Sequence, residues 1–83
     1  MTNRNKVIRY VVTHEKADGT RVLTFSAHGR FTYATHEEAT VKMEEYRPQL
    51  KARLIGDRDS TLEVRPVECW PGHFDPVRTI FEN

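Results

Sequence analysis

Lys6-Val7-Ile8-Arg9-Tyr10-Val11-Val12-Thr13-His14, then Glu15-Lys16-Ala17-Asp18-Gly19-Thr20, then Arg21-Val22-Leu23-Thr24-Phe25-Ser26-Ala27-His28, is the stretch whose reading decides the fold. The first and last runs are rich in β-branched and aromatic residues, which suit a pleated, half-buried surface, so both read as strands. Asp18-Gly19 between them is a hairpin signal, because glycine accepts the positive φ that a tight turn requires. With Asp18 and Gly19 as a two-residue turn, Ala17 faces Thr20, and the pairing runs back as His14 with Leu23, Val12 with Phe25 and Tyr10 with Ala27. Those residues, with Ile8, share one apolar face. The other face is mixed: Arg9 with His28, Val11 with Ser26, Thr13 with Thr24. An antiparallel sheet covered on one side has this pattern.

Beyond a connection over residues 29–34, Thr35-His36-Glu37-Glu38 has the form of a capping box, in which Thr35 accepts the Glu38 backbone N–H and Glu38 reaches back. A helix is expected to follow. Ala39, Met43, Tyr46, Leu50 and Leu54 recur at spacings of three or four and make one stripe. Acidic residues crowd its first half and basic residues its second, in the order the helix dipole favours. Pro48 interrupts the backbone pattern but not the stripe, so we expect a kinked, nearly continuous helix to about Leu54, stopped by Gly56.

Ser60 to Trp70 reads as a third strand. Leu62 and Val64 have one parity, Val67 and Cys69 the other, and Pro66 lies between. A bulge at Pro66 would bring all four to one side, and the proline marks an edge strand. Val77 to Phe81 can make a short fourth strand. The expected fold is α+β: a small antiparallel sheet in β-β-α-β order, with or without that fourth strand, and one helix packed on one face.

Eighty-three residues make one domain spanning 1–83, and a chain of this size buries only roughly 60–65% of its unfolded surface. Net charge is +1, so no global field draws the chain to nucleic acid or anionic lipid. The single cysteine excludes an internal disulfide and fits a reducing compartment. No run has the apolarity of a signal peptide or a membrane span, so a cytoplasmic protein without membrane association is expected.

Cys69-Trp70-Pro71-Gly72-His73-Phe74-Asp75-Pro76 is the unusual segment, gathering the only cysteine, the only tryptophan and two prolines into eight residues. Its prolines exclude a regular helix or central strand and imply a rigid, aromatic-rich turn. Two uses compete for its rings. Trp70 can close one end of the sheet–helix core while Phe74 staples the turn back. Alternatively Trp70, His73, Phe74 and Asp75 form a contact surface, joined by Arg9 and His28 of the mixed sheet face, where Val7, Val11 and Val22 also permit pairing between subunits.

No glycine-rich phosphate loop, paired-carboxylate signature, metal motif or catalytic triad occurs, so no enzyme and no cofactor are expected. The functional expectation is a non-enzymatic binding or assembly module whose partner is another protein or a second copy of the chain. The alternative is a nucleic-acid accessory protein using the basic end of the helix, Arg47, Lys51, Arg53 and Arg58. That alternative lacks a recognisable motif, and the acidic first half of the helix would repel a nucleic-acid backbone. A third reading, a metal or thiol site on Cys69 and His73, lacks the second ligand pair a zinc site uses and the group that would orient a catalytic histidine.

Overall fold

The computed structural model describes residues 5–24 and 31–82. It has one helix packed against a curled, antiparallel four-strand sheet, the α+β arrangement read from the sequence. The strands are β1 (Val7–Glu15), β2 (Arg21–Leu23), β3 (Glu63–Cys69) and β4 (Ile80–Phe81), in the spatial order β3-β1-β2-β4.

The hairpin forms, but one residue out of the expected register. Thr13 faces Leu23, His14 faces Val22 and Glu15 faces Arg21. The loop has three residues, not two. Gly19 donates its N–H to the Lys16 carbonyl at 2.9 Å, Lys16 N–H reaches the Thr20 carbonyl at 2.8 Å, and Gly19 has φ 87°. This is the hairpin in which a turn is followed by a left-handed residue, and an Asp-Gly pair serves it as well as the two-residue form. A one-residue slip sends every side chain of the second strand to the other face. Leu23 therefore joins Val11 rather than Val12. The pairings expected for Phe25, Ala27 and His28 lie outside the described residues.

That slip gives the sheet two buried faces. On one, Val12 and Val64 pack with Tyr33, Leu62 and the helix residues Ala39, Met43 and Leu50. On the other, Val11, Leu23, Val67, Cys69 and Phe81 form a second cluster, flanked by Val7 and Phe31. The surface expected to be open for subunit pairing is thus filled: Val11 is fully buried and Val7 packs on the cluster, while Val22 lies on the opposite face.

Strand β3 runs unbulged along β1, from Val7 opposite Cys69 to Thr13 opposite Glu63, which corrects the expected bulge at Pro66. The change of parity between Val64 and Val67 is real, because each faces its own core. Pro66 does sit on an edge strand, opposite Tyr10. Tyr10 directs both its N–H and its carbonyl the other way, to Tyr33, at 2.9 and 2.8 Å. The missing proline N–H therefore costs no ladder bond.

The C-terminal segment curls the sheet nearly shut. Val77 donates its N–H to the Glu68 carbonyl on the outer side of β3, yet two residues later the Thr79 carbonyl accepts Leu23 N–H from β2, both at 2.9 Å or less. Ile80 and Phe81 then pair with Val22 and Arg21. Arg65 of β3 closes the seam by donating to the Glu82 carbonyl at 3.2 Å. The second cluster is the interior of this curl, and Arg9 and Arg21 stand at its two ends.

The helix α1 (His36–Leu50) starts as expected: Thr35 Oγ1 accepts Glu38 N–H at 3.0 Å, and Glu38 Oε1 accepts Ala34 N–H at 3.1 Å. Pro48 lies within it, and a π-helical turn, Lys51–Ile55, continues it to Gly56, whose φ is 54°. A π turn takes one extra residue, so the stripe steps from Leu50 to Ile55. Ile55 is buried and Leu54 is 59% exposed, which corrects the sequence expectation for Leu54. A 3-10 turn, Gly56–Thr61, occupies the first residues expected for β3. Among the described residues no helix is long and apolar enough to cross a membrane.

His14 and Thr24 hydrogen-bond side chain to side chain on the helix side of the sheet. Burial, aided by the charge of Arg21, holds the His14 imidazole below its usual pKa of 6.5. The unfolded chain then binds the His14 proton more readily than the folded one, so its contribution to stability falls as pH drops below 6.5 and levels off below the lowered folded value. Urea midpoints at pH 7.5 and pH 5 should therefore differ less in His14→Gln than in the wild type. An equal drop in both would remove His14 as the source.

Candidate site at the mouth of the curled sheet

The turn after β3 is a tight, closed loop. Trp70 N–H meets the Asp75 carbonyl at 2.9 Å, and Cys69 bridges to Pro76. Within it Gly72 has φ 102° and Phe74 has φ 59°. A phenylalanine in the left-handed region costs roughly 1–2 kcal/mol, so the surroundings must hold it there. They do so from two sides. Thr32 Oγ1 donates to the Phe74 carbonyl at 3.3 Å, and the Arg9 guanidinium lies 4.2 Å from the centre of the Phe74 ring.

Arg9 is the hub. It is half-buried at the end of the curl, donating from Nε to Thr32 Oγ1 at 3.3 Å and from Nη2 to the Thr32 carbonyl at 3.2 Å. Two of its five N–H groups are thereby used. Between Arg9, Phe31 and Thr32 on one side and Gly72, His73, Phe74 and Asp75 on the other opens a cleft of about 400 Å³. Under the helix, by contrast, the space is about 10 Å³, too small for any ligand.

Of the six residues read as a contact surface, the structure brings Arg9, His73, Phe74 and Asp75 to one cleft. Trp70 does not line the cleft; Lys6 Nζ lies 5.2 Å from its ring centre. His28 lies outside the described residues. The core use of the two rings does not occur: Trp70 is 40% exposed and Phe74 36% exposed.

Thr32, Phe31 and Gly72 were not singled out by the sequence reading. Thr32 carries no motif, and it reaches Arg9 only because the Tyr10–Tyr33 bridge sets residues 31–33 beside β1. Gly72 could have been found, since a glycine two residues after a tryptophan in a proline-bounded turn is a place for positive φ.

Cys69 is fully buried and donates weakly to the Val67 carbonyl at 3.7 Å. Burial pushes its thiol pKa up, Arg9 pulls it down and Asp75 adds to the rise. A raised thiol inside a core is a poor nucleophile. Among the described residues no three His, Cys, Asp or Glu side chains come together to hold a metal.

At the basic end of the helix, Arg47 is committed to its own fold. It donates to both Glu44 carboxylate oxygens at 2.9 Å and to the Asp59 carbonyl, leaving Lys51, Arg53 and Arg58 as the exposed cations there.

No family model, no curated protein and no solved structure matches this chain.

Proposed function

We propose that the chain is a small non-enzymatic binding module, acting in the cytoplasm through protein–protein contacts, with the Trp70–Asp75 turn and the cleft beside Arg9 as its contact surface. The observation that carries this reading is the exposure of Trp70 and Phe74 on a loop held rigid from both sides. So small a domain has reason to bury its large rings, and leaving two of them half-bare lowers its own stability. Aromatic and arginine side chains in fixed positions are what dominate interface energetics, and rigidity reduces the entropy lost on binding. The free, buried Cys69 suits a reducing compartment. Nucleic-acid binding at the helix end is the weaker reading, because Arg47 is already paired within the chain.

A photo-crosslinking phenylalanine derivative introduced at His73, compared with one at the exposed Gln49 of the helix, tests the proposal in cells. The expected result is one protein captured from His73 only, with capture lost in Trp70→Ala while the urea midpoint falls only slightly. Capture of a second copy of the chain would make the partner the chain itself. The same proteins from both positions, or capture indifferent to Trp70→Ala, would overturn the reading.

A further inference from the structure

We propose that the cleft beside Arg9 is a carboxylate-recognition site, taking an acid that carries an apolar group next to the carboxylate. Location apart, this rests on the binding-surface reading only for its biological setting.

The Arg9 guanidinium is held in place. Its plane is fixed by the two bonds to Thr32, and Thr32 is itself buried and tied to Phe74. The centre of the Phe74 ring lies 4.2 Å from the guanidinium carbon, so that side of the group is occupied and a ligand meets its remaining N–H groups. Arg9 has no acceptor among the described residues other than Thr32, and three N–H donors remain. A planar fork of donors held in place matches the two oxygens of a carboxylate and forms the strong, charge-assisted kind of hydrogen bond.

Charge then narrows the ligand. The lining holds a single arginine, and Asp75 stands on the opposite rim. Asp75 already offsets the charge of Arg9, so a monoanion that meets the guanidinium directly is opposed less than a phosphate dianion, whose second charge has no cation in the lining. Phe31 and Phe74 supply the apolar walls, and His73 and the Gly72 backbone line the rim, within reach of the ligand's remaining polar groups. At about 400 Å³ the cleft falls within the range of small-molecule sites, with room for a small organic acid or the end of a short peptide.

Backbone and arginine side-chain NMR of the full chain tests this directly. The probes are N-acetyl-phenylalanine, its C-terminal amide, N-acetyl-glutamate amide and inorganic phosphate. The expected result is a shift of the Arg9 Nε–H and the Gly72 and His73 amides with the two carboxylate probes and not with the phenylalanine amide. The tighter of the two acids tells a terminal carboxylate from a side-chain one. Arg9→Lys, which keeps the charge and loses the fork, should weaken binding about tenfold while the resonances of Val11 and Leu23 stay in place. Equal shifts from the amide, tighter binding of phosphate, or an unmoved Arg9 at tens of millimolar acid would each overturn the proposal. The titration needs no partner protein, so it can fail while crosslinking at His73 succeeds, and the reverse.

Discussion

Phe81→Ala should cost about 3–4 kcal/mol and open Cys69 to alkylation. Phe81 is 6% exposed and packs into the interior of the curl with Val11, Leu23, Val67 and Cys69. Its strand pairs with β2 through only two residues, so backbone bonds alone hold it weakly. Removing the ring takes away the main apolar anchor of the segment that closes the sheet. A domain of 83 residues is stable by roughly 4–12 kcal/mol, so the loss is a large share of the total. Cys69 reports the opening, since it is fully buried in the native chain and burial raises its thiol pKa. Alkylation in native buffer should speed up at least tenfold in the variant. A rate unchanged from wild type, with the urea midpoint also unmoved, would mean that β4 does not seal this core.

The second large effect is expected beside Phe81, at its cross-strand partner Arg21. Arg21 is 4% exposed and joins three parts of the fold: Nη1 donates to Thr13 Oγ1 at 2.9 Å and to the Thr61 carbonyl at 3.0 Å, while Nη2 meets Glu15 at 3.1 Å. Glu63 lies 3.5 Å away. The two carboxylates are 38% and 50% exposed, so solvent screens them and the ion pairs add little. The weight falls on the buried acceptors, which lose their donor when the side chain is cut back, and on the space it leaves. Arg21→Ala should therefore cost about 3 kcal/mol, and Glu15→Gln less than about 1 kcal/mol. Urea unfolding at low and high salt separates the two contributions. A wild-type stability that falls steeply with salt, or a Glu15→Gln loss as large as that of Arg21→Ala, would reverse this assignment.

Much of the fold was legible because its signals are local. The β-branched runs on either side of Asp18-Gly19, the Thr35 cap, and Gly56 as a stop each depend on a few neighbouring residues, and the structure has them. What escaped depends on counting one residue. An Asp-Gly pair serves two loop lengths, and the choice between them assigned Leu23 to the wrong face. The π turn likewise moved the stripe from Leu54 to Ile55. The parity change at Pro66 reads as a bulge only while one face of the sheet is taken as buried; with a core on each face it needs none.

The candidate site shows the same division. The turn announced itself through composition, and Arg9 through its place in a strand of valines. The Arg9–Thr32–Phe74 chain of contacts joins residues 23 and 42 positions apart, a separation at which one sequence holds no trace of pairing.

The way the sheet ends also bears on how the chain meets other molecules. An exposed strand border is a template on which a foreign strand can extend the sheet, by β-augmentation or in aggregation. Here β3 shows no N–H at Pro66, and its Glu68 carbonyl is already taken by Val77. On the other side β4 is two residues long, and Arg65 ties its end back across the seam. If the chain binds a protein as proposed, its side chains are the surface such a partner would meet, so the partner's residue identities would matter more than whether it is extended.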